Sequence, residues 1–491
     1  MHEHFDVIIV GGGLSGINAA YRLQSSCAGK LYTILENRDT VGGTWDLFRY
    51  PGIRSDSDMF TFSYPFRPWQ SNSSIAHGDS IRTYIRETAE AYGIDRHIRF
   101  RHRVKSASWS SEDTLWTVTV ERGPAKEIVN FTCNFLFCCT GYYDYAAGYA
   151  PEFPDAETFR GRIVHPQHWP QDLDYAGKRV VVVGSGATAV TIIPVIAETA
   201  ANVTMLQRSP TYIVSRPSHD RLAASMRRLL PTNVAYSLVR WRNLLLGLYF
   251  YKLCMRRPDK VKVWIGKHIR KLLGDDFDVG PHFTPRYNPW EQRLCFSPDA
   301  DFFSALRDGK ADIVTDHIKS FTPDGIRLTS GSELKADIIV TATGLNMQML
   351  GGIVVDLDGK RNNFAETMNF RGVMFSNIPN LFNVFGYVNA SWTLKSDLIA
   401  AYVARLINYM DRRDYASCTP RVDPAIEPAA FIELSSGYIQ RAADRFPQQG
   451  SRKPWKLNQN YVRDFLSLRL GPINDRALEF TPRRNTAATA A

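Results

Sequence analysis

The chain is poor in cysteine: seven among 491 residues, odd in number, scattered, and without a C-x-x-C pair. That argues against a disulfide scaffold and suits a reducing cytoplasm, which is the expected compartment. Long apolar runs are missing as well, so no segment reads as a transmembrane helix. The opening MHEHFDVIIVGGG has no charged leader region or cleavage site. It reads as a buried strand entering a glycine turn rather than as a signal peptide. No histidine or cysteine grouping has metal-ligand spacing, so no metal site is expected, and neither a nucleophile elbow nor a P-loop occurs. Acidic residues are outnumbered 49 to 59, leaving a formal net charge of +10. No nucleic-acid motif accompanies that excess. The charge therefore points to a phosphate-rich cofactor or to an anionic lipid surface.

What the chain does have is two glycine turns, each set between a strand and a helix. Phe5 to Val10 is an apolar run, Gly11-Gly12-Gly13-Leu14-Ser15-Gly16 follows, then a helical stretch, then LYTILE ending at Glu36. Gly11, Gly13 and Gly16 permit the tight turn, the close approach of a pyrophosphate, and helix–strand packing, while Ser15 opens the helix. The helix N-terminus offers N–H groups and positive dipole to phosphate. Glu36 can accept hydrogen bonds from a ribose 2′-OH and repels a 2′-phosphate, so this unit is expected to hold FAD. The second unit runs from Lys178 through Val183, then Gly184-Ser185-Gly186-Ala187-Thr188-Ala189-Val190, a helix, and the strand VTMLQ. Here the acid is replaced by Gln207-Arg208-Ser209. Arg208 can fork to a phosphate, so NADPH is preferred over NADH.

Between the two turns lies Phe159-x-Gly161-x-x-x-His165-x-x-x-Trp169-Pro170. Together with Gly43-Thr44-Trp45-Asp46-Leu47-Phe48-Arg49-Tyr50-Pro51-Gly52-Ile53-Arg54-Ser55-Asp56, it resembles the signatures of class B flavin monooxygenases of the Baeyer–Villiger type. The stretches HPQHWP, NASWTLK and SRKPWKLNQNY resemble the branch of that family that activates thioamide prodrugs such as ethionamide. The resemblance covers nearly the whole chain. It implies FAD, NADPH and O2 as reactants, and ketones converted to esters or lactones through a flavin C4a-peroxide. S-oxygenation of sulfides or thioamides is implied as a side activity.

The resemblance also carries residue roles. Asp56 is expected beside flavin and NADPH, with Asp58 its rival on spacing. Arg293, in WEQRLCFSPDADFF, is expected to be the cation that stabilises oxygen-centred negative charge, oriented by Asp56. Thr44, Trp45, Asp46, Leu47 and Val104 are assigned to FAD. Arg54, Ser55 and Asp56 are assigned to NADP alongside Gly184 to Val190, Arg208 and Ser209. One departure matters. Relatives that hold the 2′-phosphate with a Lys just before the oxygen-transfer Arg differ from this chain, which has Gln292, so NADPH selectivity leans on Arg208. His165 reads as a buried residue fixing a linker rather than as a proton shuttle.

Two strand–Thr–Gly segments, at Thr140-Gly141 and Thr343-Gly344, resemble the crossovers of two-dinucleotide flavoproteins. The expected architecture is α/β, with two Rossmann-like domains. The FAD domain is split (1–145 and 345–480) around an NADPH domain (146–210 and 291–344), with a helical insert at 211–290 and a disordered tail at 481–491. The insert is basic and amphipathic. It reads as a subdomain packed on the core, with lipid docking or self-association as the sharper readings. Three other functions compete. A relative that oxidises only N or S atoms carries a different aromatic at the position of Trp169. A disulfide reductase needs an early cysteine pair, and only Cys27 is early. A flavin redox sensor would lack Arg293.

Overall fold

A computed structural model describes residues 2–484. Its first sheet is built around Glu3–Val10, which pairs in parallel with Tyr32–Leu35 on one side and Glu127–Cys138 on the other. The run Val7-Ile8-Ile9-Val10 is buried on both faces, as expected of a parallel strand covered on each side. Glu127–Cys138 is shared along its length. Its first half pairs antiparallel with Leu115–Arg122, and its last residues pair in parallel with Leu381–Asn383. A further strand, Val354–Leu357, pairs in parallel with His102–Ser110. The first sheet thus takes strands from both sides of the second.

The second sheet is wholly parallel, in the order Ala311–Thr315, Asn202–Gln207, Arg179–Val183, Ile338–Thr341, Arg162–Val164. In each sheet a central strand runs straight into a glycine turn, with its helix following: Leu14–Ser26 in the first and Ala187–Ile196 in the second. The crossover segments end against these turns. A side chain on Gly11 (φ +104°) would sit 2.7 Å from the Cys139 carbonyl oxygen, and one on Gly184 (φ +131°) would sit 2.3 Å from that of Ala342. Each strand–Thr–Gly motif is therefore a floor beneath a glycine that no other residue could replace.

The region 211–290 is helical: Arg221–Leu229, Thr232–Arg256, Pro258–Leu273 and Val279–Phe283. It packs on both units. Val261, Ile265, Ile269 and Leu273 join the core of the second sheet with Phe302 and Phe303. Ala223, Tyr236 and Val239 close on Phe60, next to the first. Arg240, almost wholly buried, donates to the carbonyls of Phe60 (2.6 Å) and Ser63 (2.9 Å). That caps the short helix Met59–Phe62. Thr481 and Pro482, expected in a disordered tail, instead belong to the strand Leu478–Pro482, paired with Tyr415–Pro420. Its ladder hydrogen bonds hold what composition alone suggested was loose. The rest of the expected tail, from 485, lies outside the described residues.

The long helix Trp392–Arg412 is anchored by a buried pair. Lys395 Nζ donates to Asp464 Oδ2 at 2.6 Å, with both side chains about 5% exposed or less. Tyr387 Oη donates to the same oxygen at 2.7 Å, and Asn458 to the other at 3.2 Å. Removing one partner leaves an uncompensated buried charge. Asp464→Ala is expected to lower unfolding stability by about 3–5 kcal/mol, read as a shift in denaturant midpoint, whereas the paired replacement Lys395→Met/Asp464→Leu loses much less.

Candidate active site

Both glycine turns open onto one cavity of about 1280 Å³. That exceeds a drug-sized pocket and gives room for extended ligands from both cradles. The first cradle suits a pyrophosphate. Its helix is capped by Gly13 with no side-chain cap and no acid in the first turn, so its leading N–H groups are free for an anion. Gly13 and Gly43 face each other, and a Cβ on Gly43 would lie 3.2 Å from the Gly13 Cα. A side chain at either position would push the two loops apart. The second cradle repeats this: Gly186 is the uncapped N-cap, no acid follows, and the space before it is empty.

Glu36, 5% exposed, lines the cavity. Its oxygens accept from the N–H groups of Gly12 (2.6 Å) and Arg38 (2.8 Å), which fixes the carboxylate and leaves lone pairs for a diol. Burial pushes its carboxyl above the ordinary range, against the pull of those two N–H groups. Ser15 Oγ accepts from Trp392 Nε1 at 2.8 Å, and Thr44 Oγ1 meets Tyr145 Oη at 3.2 Å. Val104, Trp45, Ser55, Arg208 and Ser209 all line the same cavity. Arg208 is exposed. Gln292 lines the wall beside Arg293.

Several expected contact residues stand behind the wall instead. Gly16 does not line the cavity. A Cβ there would lie 1.9 Å from the Gly11 carbonyl oxygen, so its part is to let helix and strand meet. Asp46 is 2% exposed and held by Arg38 (2.6 Å) and by Arg49. It tethers the loop rather than touching a ligand by its side chain. Leu47, Ala189 and Val190 are core residues. The helical period turns them inward once their neighbours face the cavity.

The loop carrying Tyr50, Gly52, Arg54 and Asp56 crosses to the second unit. A Cβ on Gly52 would strike Val195 of the second cradle helix at 2.6 Å. Arg54 pairs with Asp301, which Ser297 Oγ also holds at 2.7 Å. Asp56 Oδ2 forms an ion pair with Arg293 Nη2 at 2.6 Å. Asp58, the rival, is spent elsewhere: it caps Thr61 at 3.0 Å and accepts from Asn243 at 2.9 Å. Asp56 raises the hold of Arg293 on its proton above the ordinary arginine value, with Tyr142, Tyr143 and Tyr438 adding to it against the cost of burial. Both partners remain about a third accessible, 37% for Arg293 and 36% for Asp56. The result is a permanent cation with an oriented carboxylate, open to the cavity.

The surrounding phenols were not foreseen. Tyr142 and Tyr143 share a hydrogen bond of 2.8 Å, Tyr142 stacks on Trp392 at 5.1 Å, and Tyr438 arrives from the far end of the chain. Burial raises the pKa of Tyr143 and Tyr438, so both stay protonated and can donate. Their one local signal is the tyrosine-rich run directly after the Thr140-Gly141 crossover. His165 lies in the linker. Its Nδ1 accepts from Gln167 N at 3.2 Å, leaving Nε2 to donate to the Gly344 carbonyl at 3.1 Å. Burial lowers its pKa, so it is a neutral strut.

Two dinucleotide cradles facing one cavity, with an arginine–carboxylate pair between them, define a two-dinucleotide oxidoreductase of the flavoprotein type. Comparison with known proteins narrows the class. A family model for flavin-binding monooxygenase-like proteins matches residues 5–241. The FAD-containing monooxygenase EthA of Mycobacterium tuberculosis (strain ATCC 25618 / H37Rv) is 51% identical over 98% of this chain and 99% of its own. EthA of Mycolicibacterium smegmatis is 50% identical over 99% and 98%. Among solved structures, an oxidized steroid monooxygenase bound to NADP shares the fold, with a TM-score of 0.76 at 24% identity, covering 98% of this chain and 100% of that one. The chain belongs to the family of FAD-containing, flavin-binding monooxygenases.

Proposed function

We propose that this chain is an NADPH-dependent Baeyer–Villiger monooxygenase, in which ketone, O2, NADPH and a proton give ester or lactone, water and NADP+. The observation that carries the reading is the Asp56–Arg293 pair, set where both cradles open onto one cavity. FAD, when bound, supplies the chemistry of accepting hydride and activating O2. The protein supplies placement, charge and exclusion of water. The first cradle and Glu36 hold FAD by pyrophosphate and ribose. Gly184 to Thr188 take the NADPH pyrophosphate, and Arg208 with Ser209 takes its 2′-phosphate. Arg293 faces the oxygen of a ketone as negative charge grows on it, where a preorganised cation is worth far more than in water. Asp56 keeps the guanidinium edge aimed and balances its charge. Tyr142, Tyr143 and Trp392 wall the pocket against water. That aromatic wall also suits polarisable sulfur, which supports sulfides and thioamides as secondary substrates.

The insert supports docking of the enzyme at an anionic lipid surface. No helix among the described residues is long and apolar enough to cross a membrane. Yet Leu229, Leu246, Tyr249, Val263 and Trp264 are all at least half exposed, among exposed Lys252, Arg256, Lys260 and Lys267. Exposed apolar and aromatic side chains interspersed with cations have the composition of an interfacial segment. Co-sedimentation with phosphatidylglycerol vesicles is expected, and the triple change Leu246→Glu/Tyr249→Glu/Trp264→Glu is expected to abolish it. Vesicle binding that survives those changes, or a dimer that dissociates with them, excludes this docking face. For the chemistry, Arg293→Ala is expected to retain FAD and to lose at least about 100-fold in ester formation, the scale of an oxyanion donor. Ester quantified by gas chromatography checks this, and an active Arg293→Ala enzyme rules the assignment out.

A further inference from the structure

Four of the six arginines that wall the cavity are matched by an acid: Arg38 by Asp46, Arg54 by Asp301, Arg103 by Glu121 and Arg293 by Asp56. Arg208 has no such partner, but it stands at the second cradle, where a cofactor phosphate accounts for it. Arg441 also lines the cavity, and no carboxylate among the described residues neutralises it. Its single electrostatic neighbour of note is Tyr149, and burial works against its charge. Arg441 is itself exposed, so solvent screens its charge and its fork stays open to an anionic ligand.

The surroundings of Arg441 are built for such a ligand. Its guanidinium carbon lies 3.5 Å from the Tyr149 ring centroid. Stacking occupies one face and leaves the in-plane N–H fork free. The fork is bordered by two glycines. A Cβ on Gly437 would sit 3.3 Å from Nη1, and one on Gly344 would sit 3.8 Å from Nη2. Arg441 closes the short helix Gly437–Gln440 in helical conformation, so it shares a face with Tyr438, three residues earlier. Tyr438 in turn feels Arg293 and Asp56. A ligand whose carbonyl lies at Arg293 can therefore run along Tyr438 and present an anion to Arg441.

We propose that Arg441 recognises a substrate carboxylate, and that the preferred ketones are oxo acids, with the carbonyl held at Arg293 and the carboxylate at Arg441. This rests on the ketone-oxygenating reading above. Arg441 is a substrate-positioning residue in this assignment and takes no part in bond making.

The test uses the FAD-loaded enzyme and two ketones of equal length, 7-oxooctanoate and 2-octanone, which differ by carboxylate against methyl. The wild type is expected to favour 7-oxooctanoate by about tenfold or more in kcat/KM, the scale of a charge-assisted hydrogen bond, with the difference in KM. In Arg441→Met the ratio is expected to fall to near one, and Arg441→Lys is expected to restore part of it. Equal use of the two ketones by the wild type overturns the proposal. So does an unchanged ratio in Arg441→Met, or a rise confined to the KM for NADPH, which would place Arg441 at the cofactor. If neither ketone is oxygenated, the ketone reading fails first. Binding of 7-oxooctanoate, followed by its perturbation of the flavin spectrum, then decides separately: loss in Arg441→Met supports the carboxylate site, and retention overturns it.

Discussion

Two ion pairs of opposite polarity join the two nucleotide units, and the site depends on them. One loop, running from the first cradle, sends Arg54 to Asp301 and Asp56 to Arg293. Because the charges alternate across Ser55, a slide of the loop by two residues would set like charges against each other. Gly52 fits the same loop against the second cradle helix. The Asp56–Arg293 pair is too accessible to contribute more than about 1 kcal/mol to stability. Its value lies in aim: it holds an always-charged fork at the junction of both cofactor sites, within a cavity where charge is less screened than in bulk water.

The helical insert spends part of the chain's positive charge internally. Arg240 and Arg227 each donate to several backbone carbonyls of the segment 60–71. Arg242 pairs with Asp220, and its neighbour Asn243 donates to Asp58. These contacts brace the segment that follows the ion-paired loop. The insert also carries exposed cations, leucines and aromatics.

How much was legible follows from how local each signal is. The cradles were readable because strand, glycines and helix are consecutive, and Glu36 and Arg208 each fall at the end of the next strand. Arg293 was reached through family resemblance, since nothing local marks an arginine as facing a cofactor. Gly16, Asp46, Leu47, Ala189 and Val190 sit within the right motifs, but helical phase and an arginine clamp turn them away from the cavity. The phenol wall was not readable. Tyr142, Tyr387, Trp392 and Tyr438 meet only because the Glu127–Cys138 strand, the Trp392–Arg412 helix and the Gly437–Gln440 turn converge on one cavity. Asp301 as the partner of Arg54 was likewise invisible at a separation of 247 residues.

The central claim is that Asp56 aims Arg293, so that activated oxygen reaches substrate rather than solvent. It is tested most directly by 18O2 labelling of the wild type and Asp56→Asn, with labelled ester counted per NADPH consumed. The account predicts that the wild type directs most NADPH into singly labelled ester. Asp56→Asn should keep FAD and still oxidise NADPH, but release hydrogen peroxide in place of most of the ester. An Asp56→Asn enzyme with the wild-type yield of labelled ester would contradict it.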